Sequence, residues 1–240
     1  MKKSLTLLVL AGLILFSIAS CGGSSEREYA SAVQKKEVKQ FSQADTSSSY
    51  EDELYETYVK EAGVETVPVF KVFPVYTDGR SPDNHFVPSG YMGDYSDIKI
   101  DVSSFENPHS GTTCIKIVYT NMASQGTRWG GVYWQNPANN WGDRQGGFDL
   151  TGAKKLAFWA RGENGGERIE EFKIGGLTGV YADSDVAGIG PLLLDKEWRQ
   201  YEIDLRGKDL SYISGGFCWA TNLDVNPDGV TFYLDDIKYE

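Results

Sequence analysis

The chain has 240 residues, of which 34 are acidic and 23 basic, and its net charge at neutral pH is −11. Such an acidic chain without a basic stripe is not expected to bind nucleic acid, because phosphates are recognised by clustered lysine and arginine. The two histidines, His85 and His109, lie in polar segments, and no hydrolase, metalloprotease or paired-cysteine zinc motif occurs. Composition and motifs therefore argue against an enzyme.

The N-terminus has the features of an export signal. Two lysines precede an apolar run at residues 5–18, which is shorter than the ~20 residues of a membrane-spanning helix. An Ile-Ala-Ser-Cys run then ends at Cys21, and this run resembles the lipobox of bacterial lipoproteins. The resemblance implies that residues 1–20 are removed and that Cys21 is acylated. We expect a lipid-anchored protein at the outer membrane or cell surface.

The segment 21–66 is expected to be a flexible tether. Residues 22–49 are rich in Ser, Glu, Lys and Gln, with few apolar side chains to bury. A short helix is possible at residues 51–62, where Leu54 and Tyr58 are four apart. Processing would leave 21 basic against 34 acidic residues, a net charge of −13. The lipid, not a basic patch, would therefore hold the protein at the membrane.

Residues 67–240 are predicted to form one all-β domain. Short runs of β-branched and aromatic residues alternate there with Gly, Asn, Asp and Pro. No segment of helical periodicity separates these runs, so parallel crossovers are not expected and a β-sandwich is. The predicted strands are at 69–73, 97–101, 114–119, 131–135, 155–160, 169–176, 198–205, 213–220 and 230–239.

Five runs in the second half of the chain occur in a familiar order: GGFDLTGAKKLAFWARGENGGE at 146–167, EFKIGG at 171–176, EWRQYEIDL at 197–205, SGGFCWA at 214–220 and TFYLDDIKYE at 231–240. Together they resemble the jelly-roll carbohydrate-binding modules of secreted bacterial glycanases, which have a galactose-binding-like sandwich. The resemblance implies noncatalytic binding of a polysaccharide or oligosaccharide. Such modules are usually appended to a hydrolase, and we see no hydrolase domain in the sequence. We therefore expect binding or surface display.

A cluster of aromatic residues is the first candidate site. Trp129, Tyr133, Trp134 and Trp141 lie within thirteen residues of one another, among Asn, Gln, Asp and Arg side chains. Sugar rings stack on aromatic faces, and their hydroxyls bind amide, carboxylate and guanidinium groups. Strand alternation sends Tyr133 and Trp134 to opposite faces, so at most one of them reaches a ligand. Trp141, in the loop NNWGD, is the strongest candidate.

Three further residues are predicted to line the same groove. Trp159 and Arg161 share one face of a strand, opposite Phe158, and Trp219 alternates with Cys218. The alternative for each of the three is packing beneath a loop.

A structural calcium is the second candidate site. Modules of the resembled family often hold calcium near an acid pair such as Asp235 and Asp236. Ligands would be Asp235 with Asp78, Asp83 and Asn84 of the opening loop. Asp235 shares a strand face with Tyr233 and Ile237, so its buried charge would need either a cation or hydrogen-bond donors.

Several alternatives remain open at this point. The sequence leaves open whether Cys114 and Cys218 form a disulfide, because it does not give the distance between them. The rival functions are a structural or adhesive lipoprotein that contacts proteins, and a glycan-cleaving enzyme with two carboxyl groups about 5 to 9.5 Å apart. A groove with two or more exposed tryptophans would favour sugar, and a flat face with scattered aromatics would favour a protein partner.

Overall fold

The computed structural model describes residues 69–240, which lie within a compact unit from Pro68 to Glu240. The predictions for the export signal, Cys21, the tether and the helix at 51–62 fall outside the described residues. Within them, the strands are β1 (Phe73–Tyr76), β2 (Val87–Gly93), β3 (Ile98–Ser104), β4 (Cys114–Tyr119), β5 (Trp129–Gln135), β6 (Lys155–Gly162), β7 (Arg168–Ile169), β8 (Glu171–Gly175), β9 (Val186–Ile189), β10 (Leu192–Leu193), β11 (Arg199–Asp204), β12 (Gly215–Asn222) and β13 (Val230–Tyr239). A single 3-10 turn, Tyr95–Asp97, connects β2 to β3.

Two antiparallel sheets form the sandwich. The first sheet has the order β11-β6-β13-β4-β3, with β1 added on β13, and the second has the order β2-β5-β12-β8-β9. β7 and β10 form a separate two-stranded ribbon. All strand pairs are antiparallel. The predicted all-β jelly-roll sandwich is confirmed.

The core lies between the two sheets and is rich in aromatic rings. Phe158 of the first sheet contacts Phe172 and Phe217 of the second, with ring centroids 4.8 and 5.2 Å apart. Trp219 of the second sheet meets Phe232 of the first at 5.1 Å. Because side chains alternate along a strand, the intervening residues of each strand point to the outer face of the sandwich. Those outer faces carry the candidate sites.

The strand predictions are correct where apolar alternation is strong. They fail at the first strand, β1, and at the edge strand β2. The predicted strands 114–119 and 230–239 have the bounds of β4 and β13. The prediction at 69–73 is wrong, because the first strand begins only at Phe73. β2 was not predicted, since Pro88, Gly90 and Gly93 read as turn residues although this edge strand accommodates them.

Both described cysteines are buried and free. Cys114 lies on β4 of the first sheet and Cys218 on β12 of the second, so each acts as a small apolar side chain in its own sheet. The described part of the chain also contains no helix long and apolar enough to cross a membrane.

Candidate functional site

Two predicted sugar contacts are core residues. Trp134 and Trp219 are 1% and 0% exposed. Trp134 points inward and meets Phe217 at 5.5 Å, while Trp219 packs on Phe232. Because neither ring reaches the surface, the prediction that they bind carbohydrate is wrong. Large aromatics on inward positions of a sandwich are explained by packing alone.

Trp159 and Arg161 do point outward, but a loop covers them. They lie on the outer face of the first sheet, where the ring of His109 stacks on Trp159 with centroids 3.7 Å apart. The Arg161 guanidinium lies 3.7 Å from the centre of the Tyr233 ring and donates to the Glu106 carbonyl at 2.9 Å. The predicted direction of both side chains is correct. Their predicted place in a groove with Trp219 is wrong, because loop 105–110 covers them and Trp219 is internal.

The outer face of the second sheet is the candidate site. We call it the platform face and define it by Met92, Trp129, Tyr133 and Lys173 on the second sheet, together with Trp141 from the loop after β5. Tyr133 reaches from β5 across β12, and its hydroxyl donates to the Gly175 carbonyl on β8 at 3.2 Å. The Tyr133 ring is only slightly exposed, and more exposed side chains of the platform face pack against it.

Trp141 is the most exposed tryptophan of the platform face, at 42%. Its indole meets the Tyr133 ring edge-on at 6.1 Å, an arrangement that aromatic pairs favour. Its loop is fixed from within by the buried Asn140, which donates to the Arg144 carbonyl at 3.0 Å and accepts from the Gly142 amide at 3.1 Å. The indole is therefore presented to solvent on a preorganised loop.

A second loop reinforces the same end of the platform face. The Tyr181 amide donates to the Gly142 carbonyl at 2.9 Å, and Tyr181 is itself exposed. Asp183, in that loop, accepts from the amides of Leu177 and Ser214. Burial raises the pKa of Asp183 more than these N–H groups lower it. Two exposed aromatic rings thus sit on two connected loops.

Charged groups beside Tyr133 are already paired. The Lys173 ammonium lies 5.5 Å from the centre of the Tyr133 ring and 2.9 Å from a Glu171 carboxylate oxygen. Burial is the largest single influence on Lys173 and acts to lower its pKa, but the hydrogen bond that Lys173 donates to Glu171 and the electrostatic effects of Tyr133, Cys218 and Glu171 together outweigh burial, so the pKa is raised. The ammonium therefore stays charged and is locally neutralised, and it can donate hydrogen bonds to hydroxyl groups.

Two of the predicted calcium ligands, Asp235 and Asp78, already accept hydrogen bonds from the protein. Asp235 is fully buried and accepts the amides of His109 and Ser110 at 2.9 and 3.2 Å, and burial raises its pKa to about 6. Asp78 accepts the amide and hydroxyl of Thr112, both at 2.9 Å. Asp83 is exposed, and the Asn84 oxygen accepts from a backbone amide. No group of three His, Cys, Asp or Glu side chains suited to a metal occurs among residues 69–240.

Calcium needs six to eight oxygen ligands facing it. Asp235 and Asp78 instead face N–H and O–H donors. These hydrogen bonds satisfy the two carboxylates without a cation, and the calcium site stays a prediction. The sequence predicts that a buried Asp235 needs either a cation or hydrogen-bond donors. In the structure, the amides of His109 and Ser110 are such donors.

Sequence reasoning missed four residues around the platform face: Met92, Glu171, Lys173 and Tyr181. Lys173 could have been found, because it alternates with Phe172 and Ile174 and must point away from the core. Tyr181 has no such pattern, since it lies in an irregular loop that only the fold brings to Gly142.

Comparisons with known proteins give similarity only at the level of structure. No family model matches the sequence, and no curated protein matches it. A family 30 carbohydrate-binding module is 15% identical over 71% of this chain and 98% of its own, with a TM-score of 0.49. A family 11 carbohydrate-binding module from Clostridium thermocellum, in complex with a β-1,3-1,4-mixed-linked tetrasaccharide, is 16% identical over 73% and 91%, with a TM-score of 0.41. A variant of a family 29 module is 11% identical over 71% and 91%, at 0.42.

Proposed function

We propose that the platform face binds glycan noncatalytically. The observation that carries the proposal is the exposed Trp141 indole, held edge-on to Tyr133 by a preorganised loop. An exposed indole offers a flat apolar surface for the C–H face of a sugar ring. The preset loop geometry lowers the entropy that binding must overcome.

Polar groups beside Tyr133, the ring that Trp141 contacts, suit the hydroxyls of a sugar. Lys173 supplies donors and Glu171 supplies acceptors within the same paired unit. Because the ammonium is neutralised by its partner, we expect neutral saccharides to bind better than acidic ones. The net negative charge of the whole chain also disfavours the binding of acidic saccharides.

Two exposed tryptophans on one face favour glycan over a protein partner. Trp141 and Trp129, at 42% and 39% exposure, both belong to the platform face. The exposed Tyr181 lies in a loop that is hydrogen-bonded to Gly142, the residue after Trp141. The resemblance of residues 146–240 to carbohydrate-binding modules also favours glycan. A structural or adhesive contact with protein is the alternative, and the binding experiment below separates the two.

We further propose that the protein is exported and anchored by acylation of Cys21 to the outer membrane or cell surface. The proposal rests on the short apolar run and the Ile-Ala-Ser-Cys sequence. Metabolic labelling with a fatty-acid analogue tests it. We expect label in the wild-type protein and none in Cys21→Ser. Equal labelling of both proteins would contradict acylation at Cys21.

Glycan binding is tested by affinity electrophoresis of the full-length protein in gels containing soluble mixed-linkage β-glucan, xyloglucan, galactomannan, xylan or pectin. We expect at least one neutral polysaccharide to retard the protein. Trp141→Ala should lose the retardation, while Phe105→Ala, which removes a 78% exposed ring next to the first sheet, should keep it. A folded wild-type protein that none of these glycans retards would contradict the proposal and favour a protein partner.

A further inference from the structure

Residues 177–183 form a loop whose two ends are joined by Asp183. The Asp183 amide donates to the Leu177 carbonyl at 3.0 Å, and the Leu177 amide donates to the Asp183 carboxylate at 2.9 Å. The loop therefore begins and ends at nearly the same point. A loop closed in this way has few conformations available, because its ends can no longer separate. We call residues 177–183 the latch loop.

The closed end of the latch loop is fixed to the second sheet. The Asp183 carboxylate also accepts the amides of Ser214 and Gly215, where β12 begins. A Cβ at Gly215 would lie 3.0 Å from the carboxylate oxygen, 3.2 Å from Leu177 Cγ and 3.2 Å from Tyr133 Cδ1. Leu177 also belongs to the same buried apolar cluster as Tyr133. The carboxylate therefore lies close to the ring that the exposed indole contacts.

The tip of the latch loop contacts the loop that carries Trp141. The Tyr181 amide donates to the Gly142 carbonyl at 2.9 Å. A Cβ at Gly142 would lie 2.1 Å from the Thr178 carbonyl oxygen, and a Cβ at Gly179 would lie 2.5 Å from the Gly142 carbonyl oxygen. The two backbones are thus in direct contact, which only glycine permits at these two positions. Because Gly142 follows Trp141 in the sequence, a shift of the tip moves the backbone next to the indole.

The Asp183 carboxylate is costly for the fold. It forms no ion pair among residues 69–240, and burial raises its pKa in spite of the amides that it accepts. Burial of this kind disfavours the charged form. Asp185, two residues further on, differs, because the amides of Val186 and Asp209 and the Lys208 ammonium lower its pKa. Favourable electrostatics therefore explain Asp185 but not Asp183.

We propose that Asp183 is a positioning residue for glycan binding. Its carboxylate closes the latch loop and fixes it to β12, and the tip of the latch loop then holds Gly142 and the adjacent Trp141 indole in place. This inference rests on the proposed function, and it gives Asp183 no contact with the glycan. The affinity for glycan depends on Asp183 because a Trp141 loop that is not held must be ordered when the ligand binds.

The first measurement is titration calorimetry of the full-length protein with the polysaccharide that retards it most strongly. In Asp183→Asn the side-chain NH2 group cannot accept a backbone N–H, so an anchoring contact is lost. We expect the affinity to fall about fivefold, because ordering the released loops opposes binding. Asp185→Asn is the matched control. It removes the same charge two residues outside the latch loop and should leave the affinity unchanged.

A second pair of variants tests the contact at the tip. Gly179 has φ of 128°, and its Cβ would lie 2.5 Å from the Gly142 carbonyl oxygen, so Gly179→Ala should push the two loops apart. Gly166 has φ of 94° and open space around it, so Gly166→Ala strains the backbone without a clash. We expect Gly179→Ala to lower the affinity about fivefold and Gly166→Ala to leave it unchanged. Because Asp183 and Gly179 act through one contact, the double variant should lose little more than either alone.

Hydrogen exchange of the unliganded protein, followed by mass spectrometry, tests the latch loop without any glycan. Asp183→Asn and Gly179→Ala should speed exchange in peptides that cover residues 137–147, although both substitutions lie in the other loop. Peptides that cover β4 and β13 should exchange as in the wild-type protein. Thermal midpoints establish that each variant is folded.

Unchanged affinity in the two folded variants, or unchanged exchange at residues 137–147, would overturn the positioning role while the proposed function stands. Faster exchange throughout the domain would show that Asp183 supports the whole fold, and it would also overturn that role. A wild-type protein that binds no glycan would overturn the proposed function and, with it, the role of Asp183 in binding.

Discussion

The indole of Trp141 meets the ring of Tyr133 at an interplanar angle of 81°, with centroids 6.1 Å apart. Tyr133 is thus the support of the exposed ring, although it is itself only 4% exposed. Its hydroxyl ties β5 to β8 through the Gly175 carbonyl. The exposed and the buried ring act as one unit, and two substitutions of Tyr133 separate the contributions of its ring and its hydroxyl.

Tyr133→Phe keeps the edge contact and removes only the hydrogen bond to Gly175. We expect a loss of about 1 kcal/mol in the free energy of unfolding and little change in glycan affinity. Tyr133→Ala removes the support of Trp141, so affinity should fall about tenfold, as for a lost hot spot. Titration calorimetry and urea denaturation measure the two quantities. Unchanged affinity in a folded Tyr133→Ala protein would contradict the supporting role.

Trp219 and Trp141 should respond in opposite ways to truncation. Trp219 is completely buried, so Trp219→Ala is expected to lower the free energy of unfolding by about 3 to 5 kcal/mol. Trp141→Ala should cost less than about 1 kcal/mol, because the side chain is largely at the surface. Urea denaturation compares the two variants. Similar losses for both would mean that Trp141 is a structural residue and would weaken the platform face as a binding site.

Asp235 should make stability depend on pH. Burial raises its pKa from the ordinary 3.8 to about 6, so the folded state holds the proton more tightly than the unfolded state. The resulting stabilisation is fully present below about pH 4 and is lost as the pH rises through about 6. Relative to Asp235→Asn, which does not ionise, the wild-type protein should lose about 2 kcal/mol between about pH 4.5 and 7.5. Urea denaturation at both pH values measures this difference. A difference that is constant with pH would contradict the shifted pKa.

The sequence predicted the sandwich because alternation of apolar and polar residues with a period of two indicates which side chains of a strand face the core. It placed β4 and β13 to the residue. It failed at β2, where Pro88 and two glycines hide an edge strand, and at β1, where an apolar run begins before the strand does. Alternation reports a residue's side of a sheet, and it does not report what lies above that side.

That distinction explains the outcome for the candidate site. The outward direction of Trp159 and Arg161 was predicted correctly, but their cover is loop 105–110, which follows a different strand. Trp141 and Trp129 were identified from composition and are exposed. The contribution of Tyr181 depends on a contact between two loops that are distant in sequence, which no local pattern records.

The most direct test of glycan binding on the platform face is oxidative footprinting of tryptophan by mass spectrometry, with and without a retarding neutral polysaccharide. We predict that the polysaccharide slows oxidation of Trp141. Oxidation of Trp198 should stay unchanged, because its ring lies 5.4 Å from the Arg161 guanidinium and 6.0 Å from the His109 ring, on the outer face of the first sheet. The buried Trp134 and Trp219 should be oxidised slowly in both conditions. Protection of Trp198 with no protection of Trp141 would contradict the account and place the site on the opposite face.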